Sequence, residues 1–277
     1  MAIVTLQPRE ELRPYVRQFW FTSDPDEAYR SPICKVMADG APGLIFQHHQ
    51  GHSAVLDARH SLLPLSFMYG QSTGHCINHL IGSPFILGVH LQPTALKSLF
   101  ALEASALTDK LIDTDCIFST SLREQFLNMT HPAQFLSSLS DTLLRLLRER
   151  SSDRIIAHSI RLMQAQPSGM DSLALAETYQ LSRRQFQRQF KAAVGVCPQT
   201  YGRILRFQKA LHLLKGSRYK KLSDIGYELG YADQSHFIRE FKTFSGGTPQ
   251  DFLKAYSPRS PFYRSGMNEL ETLRILN

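Results

Sequence analysis

Apolar residues between positions 15 and 91 come in short runs of β-branched and aromatic side chains, cut by turn formers. The runs at 15–21, 44–48, 65–69, 77–81 and 85–91 read as strands. Breakers such as Asp39-Gly40-Ala41-Pro42-Gly43 and Gly82-Ser83-Pro84 separate them. From Pro93 the period lengthens. Leu96, Leu99, Phe100 and Leu102 fit one short helix, and after Pro132 the residues Phe135, Leu136, Leu139, Leu143, Leu146 and Leu147 make a wide apolar stripe. The segment 148–153 is charged and polar with no apolar anchor, which predicts a linker. Beyond it the pattern is helical to about residue 257. A tail, 258–277, opens with prolines and carries a helical pattern at 268–276.

The helical region contains an internal repeat, and a repeat constrains more than any single element does. Residues 186–201 and 237–252 both satisfy F-x-R-x-F-K-x-x-x-G-x-x-P-Q-x-aromatic, 51 residues apart, with seven identities in 16 positions. Two copies are too few for a solenoid, so a duplicated module is the better reading. Phe186 and Phe190, like Phe237 and Phe241, stand four apart and share one buried helix face. On the opposite face Arg184, Gln187, Arg188 and Lys191 form a stripe without an acid. In the second copy Ser235, Arg239 and Lys242 take the same track, with Gln234 and His236 alongside. Gly195 and Gly246 stand where a helix C-cap needs positive φ, and Pro198 and Pro249 stop one helix and start the next. Short amphipathic segments at 172–179 and 222–229 precede the two stripes, with Ala176 and Gly226 small enough for close helix approach. Ser182 and Asp233 are predicted N-caps, and Ser182 with Gln185 makes a capping box. Each pair is a helix-turn-helix unit, and a long helix at 201–214 connects them.

Charge sharpens this picture. Residues 1–150 carry 12 Lys/Arg against 14 Asp/Glu, residues 151–257 carry 16 against 8, and the tail carries 3 against 2. The excess positive charge is therefore concentrated in the segment holding the repeat, as a polyanion-binding domain requires. A plain helical bundle would interleave acids with these bases, because mixed i,i+4 pairs support a surface helix. Arg184, Gln187 and Arg188 in the first unit, and Gln234, Ser235, His236 and Arg239 in the second, are the base-reading candidates. Arginine pairs with guanine and glutamine with adenine in the major groove. Lys191, Arg203, Arg206, Lys220, Lys221 and Lys242 are the phosphate candidates, which position without specifying.

Residues ~153–256 resemble the AraC/XylS family of bacterial transcription regulators. The pattern S-R-R-x-x-x-R-x-F-K-x-x-x-G-x-x-P is met at Ser182 to Pro198, and the longer pattern around G-Y-x-D-x-S-x-F-x-R-x-F-K is met from Ile225 to Pro249. The resemblance implies seven helices and two recognition helices in successive major-groove segments of promoter DNA. Where the family commonly has an aromatic followed by Arg, this chain has Phe252-Leu253, which bears on a terminal phosphate contact and not on the fold. The β-rich part followed by helices resembles the small barrel and helical pair found at the N-terminus of such regulators, implying effector binding there and dimerisation through the helices.

The expected architecture is thus α+β, with a barrel-like sensor domain over 1–150, an all-α domain with two helix-turn-helix units over 151–257, and the tail. The expected protein is a sequence-specific regulator, ligand-responsive through residues 1–150. The alternative is a ligand-independent regulator whose N-terminal domain only dimerises or binds a protein. Double-stranded promoter DNA, a small-molecule effector, RNA polymerase and a second copy are the expected partners. The effector-binding residues are not legible. An enzyme is not expected, because no G-x-S-x-G, phosphate-cradling glycine loop or H-E-x-x-H occurs. Alternation would bring His75 and His79 to one strand face with His90 nearby, but no carboxylate stands beside them in sequence. Scattered histidines, with no metal and no cofactor, are the reading. Trp20, with Phe19 and Phe21, reads as core, with the lining of a pocket as the alternative. Cys34, Cys76, Cys116 and Cys197 are dispersed, and neither a secretory start nor a ~20-residue apolar span is present, so a cytoplasmic protein without membrane contact is expected.

Overall fold

The structure, a computed structural model, describes residues 2–23, 33–129, 131–147, 154–166, 172–216, 219 and 221–256. The expected linker at 148–153 and the tail at 258–277 lie outside the described residues. Among the described residues the N-terminal part holds nine strands: β1 (Ala2–Leu6), β2 (Val16–Ser23), β3 (Ile33–Val36), β4 (Gly43–His48), β5 (Val55–Leu56), β6 (Ser66–Tyr69), β7 (Cys76–Leu80), β8 (Phe85–Leu91) and β9 (Leu111–Asp113). They form two open antiparallel sheets, ordered β1-β2-β8-β4-β6-β9 and β3-β7-β5. The architecture is α+β. The barrel is loose, since neither sheet closes among the described residues.

Strand alternation splits the large sheet into two faces. Leu44, Phe46, Leu87, Val89 and Leu91 point to one side, where α1 (Ala95–Phe100), α2 (Thr120–Leu127) and α3 (Pro132–Leu147) cover them. On α3, Phe135, Leu136, Leu139 and Leu143 are all buried in this core, and Leu146 and Leu147 pack at its margin. The wide stripe is therefore used within its own domain. It gives no support to a dimer interface on α3. Ile45 and Ile86, on the other face, look toward the small sheet.

Among the described residues seven helices follow: α4 (Arg154–Ala165), α5 (Ser172–Thr178), α6 (Arg183–Val194), α7 (Pro198–Lys215), α8 (Leu222–Glu228), α9 (Gln234–Ser245) and α10 (Pro249–Tyr256). They hold two apolar cores. One joins α4, α5 and α6 to Tyr201. The other gathers α7 to α10 and also takes in Trp20, Met37 and Ala38 from the β-rich part. Trp20 is core, as its neighbourhood in sequence suggests, but its core belongs to both halves of the molecule. Its indole fills the space over Gly88, its β2–β8 register partner, where an added Cβ would sit 2.0 Å from the ring. No helix of the described residues is long and apolar enough to cross a membrane.

Candidate DNA-reading interface

Local sequence sets each recognition helix in turn. Ser182 caps α6: its hydroxyl accepts the Gln185 N–H at 3.3 Å while the Gln185 side chain accepts the Ser182 N–H at 3.0 Å. Asp233 caps α9 by accepting the His236 N–H at 2.7 Å. These bonds satisfy amide donors that a helix start leaves open. At the far ends Gly195 (φ 102°) and Gly246 (φ 71°) turn the chain through the positive-φ region.

The two units repeat in three dimensions. Ring centroids of Phe186 and Phe190 lie 5.8 Å apart and those of Phe190 and Tyr201 5.7 Å, while Phe237–Phe241 and Phe241–Phe252 are 5.9 and 6.0 Å apart. All six rings are buried. Burial of one such ring contributes roughly 1.5–3 kcal/mol, so each recognition helix is pinned by its aromatic face. Between α8 and α9 an added Cβ on Gly226 would meet Phe237 at an ordinary 3.7 Å.

The opposite faces are open. Arg184, Arg188 and Lys191 are exposed on α6, with Gln187 half-buried at the stripe's edge, and none of the three cations makes an ion pair among the described residues. Gln234, Ser235, Arg239 and Lys242 are exposed on α9, and Lys221 is exposed before α8. Lys220 lies outside the described residues. His236, Arg203 and Arg206 are placed differently. All three converge on Glu240, whose side chain is only 2% exposed: Arg203 Nε is 3.2 Å from Oε1, Arg206 3.6 Å from Oε1, and His236 Nε2 3.2 Å from Oε2. Arg206 also lies over the Tyr231 ring at 5.0 Å, and Tyr231 stacks edge-on to His236. Burial and the neighbouring Glu240 push the Tyr231 phenol above its ordinary pKa. Sequence reasoning overlooked Glu240. Its signal was there, as the acid one helical turn after His236 in the second copy of the repeat.

The β-rich part contains a second candidate site. A cavity of about 750 Å³ opens between the two sheets, walled by Trp20, Ile45, Val55, Leu63, Phe67 and Ile86 among others. Asp39, also in its wall, holds the buried His90 at 2.6 Å from Nε2 and accepts the Ala41 N–H at 3.1 Å. The fold thus supplies the carboxylate that the sequence lacked beside its histidines, but to His90 alone. His79 stacks on His60 and His75 meets the Thr243 carbonyl, and no group of three or more potential metal ligands forms among the described residues.

Comparison with known proteins follows the same division. Residues 175–255 match the family model of a helix-turn-helix domain (HTH_18), and residues 4–113 match a domain of unknown function (DUF6597). The HTH-type transcriptional activator RhaS of Escherichia coli O139:H28 (strain E24377A / ETEC) is 41% identical over 78 residues, and that of strain SE11 is 40% identical. These alignments span 28% of this chain and 28% of each relative. Among solved structures, ToxT from Vibrio cholerae is 12% identical with a TM-score of 0.46, over 91% of this chain and 98% of that one. The C-terminal domain of AraT, a response regulator from Geobacillus stearothermophilus, is 22% identical with a TM-score of 0.34, over 39% and 95%.

Proposed function

We propose that the chain is a sequence-specific, ligand-responsive transcription regulator of the AraC/XylS type, a reading supported by the helix-turn-helix match over residues 175–255 and by the 41% identity to RhaS over 78 residues. The observation that carries the reading is the pair of capped helices with pinned aromatic backs and free cationic fronts, α6 and α9. Arg184, Gln187 and Arg188 read bases from α6; Gln234, Ser235, His236 and Arg239 read from α9. Lys191, Lys221 and Lys242 hold phosphates. Arg203 and Arg206, engaged by Glu240, add positive potential behind α9 more than direct contacts. Promoter DNA places the protein in the cytoplasm, and because the curated relatives are transcriptional activators, RNA polymerase is the natural protein partner. The cavity between the sheets is of a size that small-molecule sites use, ~300–1,000 Å³, and supports effector binding over a purely scaffolding N-terminal domain.

Two measurements test the DNA reading. Hydroxyl-radical footprinting of one protomer is expected to protect two segments about one helical turn (~34 Å) apart; protection of one segment alone overturns dual insertion. Arg188→Ala is expected to cost ~1–3 kcal/mol at the cognate site with little change on random DNA. Equal losses on both would mean that Arg188 only meets phosphate.

A further inference from the structure

We infer that the cavity between the sheets takes an uncharged, largely apolar molecule, and that its occupancy acts on the second helix-turn-helix unit through Trp20, Met37 and His75 while bypassing the first. The inference rests on the effector reading above and adds the ligand's class and the route of its effect.

The class follows from the accounting of charge. The interior wall is apolar, and its buried acid, Asp39, is bonded to His90. The remaining carboxylates in the wall are committed to their own loops: Asp57 accepts the N–H groups of Arg59 and Ser61, and Asp109 accepts the N–H and hydroxyl of Thr73. Arg59 and Lys110 are exposed beside those acids, so the mouth carries two charges of each sign. Among the described residues no buried charge is left to meet a charged ligand, and burying an unmatched charge is very costly.

The route follows from shared side chains. Trp20 and Met37 belong at once to the cavity wall and to the core of the second unit, beside Ile204, Phe207 and Phe244. The next residue, Ala38, donates its N–H to the Phe244 carbonyl at 3.3 Å, and its own carbonyl accepts Gln208 Nε2 at 2.5 Å. His75, a third wall residue, lies 3.4 Å by Nδ1 from the Thr243 carbonyl, and its ring fills the space over Gly246. The first unit touches the β-rich part at two other places: the Gly195 carbonyl accepts the Thr108 hydroxyl at 2.7 Å with Gly195 packed on Ala104 and Gln71, and Tyr201 packs on Gly40. None of Thr108, Ala104, Gln71 and Gly40 lines the cavity, and no residue of the β-rich part joins the core of α4 to α6. A molecule that shifts Trp20 or Met37 therefore disturbs α7 and α9 directly, since close-packed cores transmit displacement.

The experiment uses the full chain and N-phenyl-1-naphthylamine, a neutral fluorescent probe. Trp20 is the chain's single tryptophan and lines the cavity, so it is a built-in energy donor. Saturable transfer from Trp20 to the probe is expected, lost in both Cys76→Phe and Asn78→Phe, two wall positions on β7, with far-UV circular dichroism unchanged. The anionic 1-anilinonaphthalene-8-sulfonate is expected to bind at least about tenfold more weakly; equal binding overturns the assignment of ligand class. No saturable transfer, or transfer indifferent to both folded variants, would remove the effector reading itself. With the probe bound, amide exchange is expected to slow across residues 234–256 and to stay constant across 172–194. Equal change in both segments, or change in the first alone, refutes the route while leaving the binding site standing.

Discussion

The two helix-turn-helix units share a repeat and differ in what stands at its variable positions. Where the first unit has Ala193, the second has Phe244; where the first has Gln189, the second has Glu240; where the first has Cys197, the second has Thr248. The repeated residues build the same object twice, a helix with buried rings behind and cations in front. The variable ones decide its surroundings. Phe244 extends the second unit's core until it meets Trp20, Met37 and Ala38, whereas the first unit, with a methyl at that place, keeps a core of its own. One unit thereby shares its core with the β-rich part, and the other packs against the N-terminal half with a core kept separate.

Phe244 gives the largest effect by which to break this comparison. Its ring is buried 5.4 Å from that of Phe207, beneath the Arg203 guanidinium. Phe244→Ala is expected to cost ~3–5 kcal/mol, as a truncated core aromatic does, and to speed amide exchange both in α9 and in the segment 36–41. Ala193→Phe is expected to cost ~1–3 kcal/mol by overpacking, with its effect confined to α4–α6. Thermal unfolding and exchange measure both. If Phe244→Ala leaves segment 36–41 as protected as before, the shared core is not a mechanical connection.

Glu240 comes next. A buried carboxylate facing two arginines and a histidine is more costly to lose than a half-buried glutamine, because its removal strands the cations it serves. Arg203 is 44% exposed and Arg206 19%, so water recovers part of that loss. Glu240→Gln is expected to destabilise by ~1–3 kcal/mol and to steepen the salt dependence of DNA binding as two arginines are released towards phosphates. Gln189→Ala is expected to change neither by a measurable amount. An unchanged melting temperature and salt slope for Glu240→Gln would mean that the cluster is incidental.

The same residues show how far the sequence could be read. Five strands, the stripe of α3, the helix-turn-helix pairs, both N-caps and both positive-φ glycines were legible, because each depends on neighbours within one turn or one strand. The strands β1, β3, β5 and β9 were not. Glu240 was passed over because an acid one turn from His236 gains meaning only when α7 brings Arg203 and Arg206 alongside. The pairing of Asp39 with His90, and the role of Met37 and His75 in two places at once, depend on residues more than 50 positions apart. The α3 stripe was legible as a stripe, but periodicity says that a face is apolar and not what covers it.

The smallest expected effect lies at the last variable position. Thr248 starts α10 with a closed exchange: its N–H and hydroxyl both donate to Asp251 Oδ2, at 2.8 and 2.7 Å, and its oxygen accepts the Asp251 N–H at 3.2 Å. Those donors hold the Asp251 carboxyl below its usual range. Cys197 occupies the same place before α7, but its sulfur shares a hydrogen bond of 3.3 Å with the Thr200 hydroxyl and makes no side-chain cap bond to a backbone N–H. Burial would raise the Cys197 thiol, yet the Thr200 hydroxyl and the N–H groups of the first turn of α7 outweigh it and lower the pKa. Those N–H groups favour an acceptor, and sulfur is a weak one. Cys197→Ser is therefore expected to stabilise the chain by ~0.5 kcal/mol, the low end of what an N-cap contributes, while Thr248→Ala costs ~1 kcal/mol. If Cys197→Ser instead lowers the melting temperature, the thiol packs where a hydroxyl cannot, and the two caps differ by fit and not by hydrogen bonding.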